Sequence, residues 1–232
     1  MRPAFYAPTG TVAGDLVAIL HPPYTLWHLS YVAIGASLAP TLSLGLLAWT
    51  LVVFFLGLGV VAHALDEVHD RPLGTRFSDR ALWAMAALAV AAGAVIVALG
   101  AVQVSGWVLG WAAAALVLAV GYPLEVPRWL HTDLGFAAAW GAFPVLAGYW
   151  VQTQRLDGPA LLAASFALVL SLVQRALSTP ARFVRRRVAD ARAELGSETW
   201  DRDRLLETWE RPLRWLALAV ALLAVGLVGT HL

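Results

Sequence analysis

The chain contains no cysteine, which excludes disulfides, thiolate metal ligands and cysteine nucleophiles. It contains no lysine either, and all 16 basic residues are arginine. Charge of both signs is scarce. Only 13% of the 232 residues are charged, against roughly 25% in an ordinary soluble domain. The net charge of +1 points to no nucleic-acid partner. Residues 1–15 carry no apolar h-region, so no cleavable signal peptide is expected. What is abundant is apolar side chain: 60% of the residues are hydrophobic, gathered in runs of about twenty, the length that crosses ~30 Å of hydrocarbon as a helix. The expected class is an all-α integral membrane protein.

Seven spans are expected, at about 16–38, 42–64, 81–102, 107–126, 134–151, 158–173 and 213–232. Residues 1–15 form a leading segment, 16–173 a six-helix core, 174–212 a basic amphipathic extramembrane segment and 213–232 a seventh span. Arginine placement orients them. Fifteen of the 16 arginines lie at the N-terminus or in and beside the stretches after spans two, four and six, and only Arg155 lies on the other side. The N-terminus is therefore expected in the cytoplasm and the C-terminus outside, as in a multi-pass protein of the inner or plasma membrane. Segment 174–212 holds nine arginines, with Val184, Val188, Ala191 and Leu195 at helical spacing. That pattern predicts a basic helix on the inner leaflet or a lid over a cytoplasmic cavity.

The stretch AHALDEVHDRPLGTR (62–76) puts ionisable groups at the end of an apolar span, where they are costly and point to function. His63, Asp66 and Asp70 stand at i, i+3 and i+7, one helix face. Asp66 and Asp70 one turn apart suit Mg²⁺, which takes one or two carboxylates and bridges to phosphate oxygens. Arg71 and Arg76 follow as forked donors for phosphate. His21, His28, His69, His131, Glu125 and Asp133 fall on the same side or in the span entered from it; His21, His28 and Glu125 are candidates for a cavity wall. Gly135, Gly141 and Gly148 with Pro144 mark a span built for close helix approach and a kink.

Four stretches together resemble the UbiA superfamily of intramembrane prenyltransferases: HPPYTLWHLSYVAIGASLAP, DEVHDRPLGTR, GYPLEVPRW and DLGFAAAWGAFPVLAGYW, covering roughly residues 20–175. The resemblance implies a helical bundle around a lipid-open cavity whose polar end faces the cytoplasm. It implies Mg²⁺ on two Asp-rich motifs, an isoprenoid diphosphate as ligand, and either prenyl transfer or terpene cyclisation. Carried over by position, Asp66 and Asp70 hold Mg²⁺ while Tyr122 and Arg128 approach the diphosphate. The chain departs from the family pattern in three places. Ala62 and His63 replace the Asn and Asp that open the first motif. Gln174 and Arg175 stand where the second motif's carboxylates belong. Seven spans replace the usual nine. Arg71, Arg175 and Arg182 are then candidates for an arginine-lined phosphate pocket, because guanidinium neutralises phosphate without metal.

Two other functions stay open on the sequence alone. His63, His69, His131, Asp66 and Asp133 are ligand types for Zn or Fe, since imidazole suits transition ions better than Mg²⁺. A non-catalytic protein that binds a lipid or a partner is the third reading, with Asp66 and Asp70 paired to Arg71 and Arg128.

Overall fold

The computed structural model describes residues 10–188, 190, 192–195 and 198–232. Thr11 starts α1 (Val12–Leu20) by accepting a hydrogen bond from the Gly14 amide, an N-cap. The chain then turns at His21, whose φ is +48°. Pro22 and Pro23 follow at the start of α2 (Pro22–Ser37). A residue before proline is driven out of the α region, and proline itself suits a first helical turn. The expected first span is therefore two helices jointed at His21.

Helices α3 (Leu44–Phe54) and α4 (His63–Asp70) join through a π-helical stretch, Phe55–Ala62, into one rod from Leu44 to Asp70. Helix α5 (Asp79–Gln103) starts on a Ser78 cap. After α6 (Val108–Gly121) and a short 3₁₀ turn (Arg128–Leu130), α7 (Asp133–Ala137) and α8 (Phe143–Thr153) join through a second π-helical stretch, Ala138–Ala142. Helix α9 spans Gly158–Arg187, strands β1 (Arg192–Leu195) and β2 (Glu198–Asp201) form an antiparallel hairpin, and α10 spans Arg202–Gly229. Five helical stretches are long and apolar enough to cross a membrane: Leu44–Asp70, Asp79–Gln103, Asp133–Thr153, Gly158–Arg187 and Arg202–Gly229. The molecule is thus a helical bundle of the multi-pass membrane kind. Its outward residues, such as Leu88, Val95, Val102 and Val117, are large, apolar and exposed.

One expectation is corrected here. Residues 174–212 do not form a separate surface helix. Helix α9 runs unbroken past Val173 to Arg187, and α10 begins eleven residues before the expected seventh span, at Arg202. Of the predicted apolar stripe, Val184 is helical, Val188 is extended and Leu195 is in a strand, while Ala191 lies outside the described residues. The arginine-rich sequence is helical because it extends two membrane-length helices. It adds charged ends to them and leaves the cavity mouth between.

Helix α2 is the centre of the bundle, packed on α8 and α10. Small residues permit this. A Cβ on Gly35 would strike the Val145 carbonyl, and one on Gly148 would strike the Val32 carbonyl. One on Gly141 would meet the Ala167 carbonyl and the Ser171 hydroxyl of α9. The glycines of the fifth expected span are thus contact points of backbone on backbone.

Overpacking a tight contact costs about 1–3 kcal/mol and occasionally more. Gly148→Leu meets backbone on the α2 side, so it is expected to lower stability by about 3 kcal/mol or more. Gly226→Ala, which faces open space, is expected to stay within about 0.5 kcal/mol of wild type. Thermal unfolding in detergent checks both, and equal melting temperatures would contradict the packing.

Candidate functional site

A cavity of about 1040 Å³ opens among α1, α2, the two π-containing rods, α9 and α10. Its lining changes character from inside to outside. Trp27 and His28 of α2, Phe136, Trp140 and Gln174 are buried wall residues. Asp66, Arg186, Asp203 and Arg204 are exposed rim residues. Seven arginines line it (Arg175, Arg182, Arg185, Arg186, Arg202, Arg204 and Arg214) against four carboxylates, Asp66, Asp203, Glu207 and Glu210. The mouth therefore carries net positive charge and the interior is aromatic.

The interior is held by a backbone defect. Pro144 has no N–H to give the Trp140 carbonyl four residues before it. That carbonyl accepts from His28 Nδ1 across 2.7 Å. A carbonyl only accepts, so the proton sits on Nδ1, and the neutral ring keeps its lone pair on Nε2. His63 repeats the pattern, with Nδ1 3.3 Å from the Gly59 carbonyl in the other π-helical stretch. π-Helical turns frequently mark functional positions, and here both adjoin the cavity. The His21 and His63 rings lie 5.4 Å apart. His28 sits among the rings of Tyr24, Tyr31, Phe136 and Trp140, at 6.0–6.4 Å.

At the mouth, ion pairs distinguish the arginines. Arg175 Nε bonds Asp133 Oδ1 at 3.0 Å, and its guanidinium lies 5.2 Å from the Phe136 ring centre. Arg185 pairs with Glu210, which Arg214 also approaches at 3.8 Å. Arg202 donates to the Val188 and Arg185 carbonyls at 2.7 and 3.0 Å. Among the described residues, Arg182 and Arg186 have no carboxylate within ion-pair distance. They are the two cations that act most strongly on Asp66.

Of the residues singled out in the sequence, His21, His28, His63, Asp66, Tyr122, His131, Gln174, Arg175 and Arg182 line this cavity. Tyr122 stacks on His131 at 4.7 Å. His131 Nδ1 is 3.1 Å from the Tyr122 carbonyl, and its Nε2 is 3.5 Å from Glu125. The others lie outside the lining. His69 and Asp70 are exposed at the end of α4, Arg128 is exposed on the 3₁₀ turn, and Asp133 is spent on Arg175. Arg71, with φ +49°, pairs with Asp79 and donates to the Phe77 carbonyl. Arg76 is tied to Asp15 at 3.1 Å and to the Gly10 carbonyl. These two arginines brace the loop after α4. Among the described residues, no three His, Asp or Glu side chains gather as a metal-binding group.

Glu67, not among the sequence candidates, is fully buried. Its carboxylate accepts from the Leu73 amide at 2.9 Å, the Thr75 amide at 2.7 Å and the Thr75 hydroxyl at 3.0 Å. Tyr24, Trp27 and the α10 charges were not candidates either, because only the fold brings α10 over the mouth. The Arg-Pro-Leu-Gly turn after Glu67 was the available signal: a tight turn needs an acceptor for its amides.

No protein-family model matches the chain, and neither a curated protein nor a solved structure matches it.

Removing Glu67 strands the two buried donors of Thr75 and the part-buried Leu73 amide. Leaving a buried donor unsatisfied costs about 1–3 kcal/mol. Glu67→Ala is therefore expected to lower stability by about 3 kcal/mol or more, and to raise amide hydrogen exchange at Leu73 and Thr75. Unchanged exchange there would contradict the bracing role.

Proposed function

We propose that the protein is a membrane enzyme of UbiA-like type that acts on an isoprenoid diphosphate, by prenyl transfer or terpene cyclisation. The observation that carries this is a cavity graded from buried aromatic rings to an arginine-rich mouth. Its volume is at the upper end of the ~300–1,000 Å³ of ligand pockets. In this reading the diphosphate sits at Arg182 and Arg186, whose guanidiniums are free of carboxylate partners among the described residues. The allylic tail lies along Tyr24, Trp27, Phe136 and Trp140. Cleavage of the allylic carbon–oxygen bond leaves a carbocation, and ring faces stabilise such charge. The electron pair departs with the diphosphate, where guanidinium donors hold it.

The donor set fits Mg²⁺ in a reduced form. Asp66 is the one carboxylate of the DxxxD pair that lines the cavity. Mg²⁺ is held by one or two carboxylates plus substrate phosphate oxygens, so Asp66 suffices when a diphosphate is present. Held there by Asp66, the ion would supply charge neutralisation on the leaving group. The same reading keeps seven crossings, counting α2 and α6 with the five long stretches. It places the N-terminus in the cytoplasm and the C-terminus outside, in the inner or plasma membrane, because the arginine-rich ends of α9 and α10 then face the cytoplasm.

Geranylgeranyl diphosphate with Mg²⁺ is expected to raise the melting temperature of detergent-purified protein by mass action, worth about 2.7 kcal/mol at a hundredfold excess over Kd. Asp66→Asn is expected to remove the Mg²⁺-dependent part, and the Arg182→Ala/Arg186→Ala pair to weaken binding at least tenfold. No stabilisation with Mg²⁺ or with chelator overturns the reading. Reporter fusions after residues 40, 105 and 232 are expected to read as external; a cytoplasmic signal at 232 contradicts the seven-crossing topology.

A further inference from the structure

A smaller cavity lies at the end of the bundle away from the arginine mouth. The rod Asp133–Thr153 shows the separation. Asp133 holds Arg175 at the mouth, and Gln154 follows the other end, 21 residues or about 30 Å along the axis. This cavity measures about 210 Å³ and is lined by Ser105, Trp107, Trp111, Trp150 and Gln154. Tryptophans at a membrane boundary commonly anchor a helix among the headgroups. Here Trp150 is buried and Trp111 half-buried, so they face protein as well as the boundary. Their ring centres are 5.7 Å apart, and Phe143 backs Trp111 at 5.5 Å. Two of the walls are thus fixed before anything binds. Exposed Trp107, one turn before Trp111, completes the recess.

The electrostatics of the recess favour a cation. Indole faces are negative, and tryptophan is the best of the aromatic cation binders. Among the described residues, no arginine, histidine or carboxylate lines the cavity. The C-terminal ends of α5 and α8 meet here, bridged by Gln154 Nε2, which donates to the Val104 carbonyl at 3.2 Å. Helix C-termini carry negative partial charge. Helix α6 begins here too, but its first amides are taken by the Ser105, Gly106 and Trp107 carbonyls. A primary ammonium is strongly hydrated, and no carboxylate is present to replace its water. A quaternary ammonium has no N–H to satisfy, and ring faces alone recognise it.

We propose that this cavity binds a quaternary ammonium group, supplied by the choline headgroup of a lipid or by a free quaternary amine. Attraction to the rings of Trp107, Trp111 and Trp150 holds the cation, and the ends of α5 and α8 add to it. The site is independent of the isoprenoid diphosphate reading and needs no diphosphate or Mg²⁺.

The test uses the full chain, labelled with fluorotryptophan, in phosphatidylglycerol nanodiscs and read by fluorine NMR. Single Trp→Phe substitutions assign the resonances. Choline is expected to shift those of Trp107, Trp111 and Trp150 with a millimolar Kd and to leave those of Trp27 and Trp140 in place. Its neutral isostere, 3,3-dimethylbutan-1-ol, has the same shape without the charge and is expected to bind at least tenfold more weakly. Trp107→Leu and Gln154→Arg change exposed residues, so both are expected to melt like wild type. Loss of one ring in Trp107→Leu is expected to weaken choline binding about fivefold. Gln154→Arg keeps a donor for the Val104 carbonyl but brings a cation, and is expected to abolish binding. Phosphatidylcholine nanodiscs separate the two sources. Trp111 and Trp150 resonances already shifted there, and restored by Gln154→Arg, identify the lipid headgroup. Resonances that match the phosphatidylglycerol spectrum until choline is added identify a free amine. The proposal is overturned if choline shifts none of the three resonances and the two lipids give the same spectrum. It is equally overturned if the neutral isostere binds as tightly as choline, or if Gln154→Arg binds choline as wild type does.

Discussion

A missing hydrogen bond organises the centre of this molecule. Pro144 cannot serve the Trp140 carbonyl, and His28 from another helix does so at 2.7 Å. One backbone defect thus ties α2 to the α7–α8 rod, sets the tautomer of a buried histidine and turns Trp140 toward the cavity. The tie works because α2 and α8 touch backbone to backbone at Gly35 and Gly148. In a bilayer there is little hydrophobic force between helices, so close van der Waals packing and interhelical hydrogen bonds hold the bundle. Both devices occur at this one crossing.

The charged end obeys a different rule. Long arginine side chains reach an aqueous boundary while their stems stay apolar, so α9 and α10 extend past the hydrocarbon and converge there. Four of these guanidiniums, those of Arg175, Arg185, Arg202 and Arg214, are engaged by Asp133, Glu210 or backbone carbonyls. Arg182 and Arg186 stay available beside Asp66. A mouth with net positive charge over an aromatic interior selects an anionic head with an apolar tail, and this is the physical basis of the proposed substrate class.

Much of this was legible in the amino-acid sequence, because a membrane leaves a chain few options. Apolar run length located five membrane-length helices, whereas the first expected span is two helices jointed at His21 and the fourth is the shorter α6; small residues at Gly135, Gly141 and Gly148 marked the close contacts. Pro144 marked the bend. The cavity histidines and Asp66 were found as ionisable groups near apolar spans, and Tyr122, Gln174, Arg175 and Arg182 through the resemblance and the places where the chain departs from it. The failures have equally physical causes. Arg71 and Arg76 read as phosphate donors, yet Asp79 and Asp15 sit within reach only once the loop after α4 folds back. Glu67 looked like one more charged helix-end residue, and its role needs the three-dimensional turn at Leu73–Thr75. The stripe Val184–Leu195 has helical spacing, but the helix stops at Arg187 and a hairpin follows. The α10 wall of the mouth lies far from α4 in sequence, so no local pattern announces it.

In the proposed reading an isoprenoid tail lies inside the bundle with its diphosphate at the arginine mouth. Photo-crosslinking with geranylgeranyl diphosphate bearing a diazirine on its terminal isoprene tests this most directly. Label is expected on peptides carrying Trp27, Phe136 or Trp140, competed away by unlabelled diphosphate. Label confined to the outward face of α5 and α6, around Leu88, Val95 and Val117, and unaffected by competitor, would contradict it.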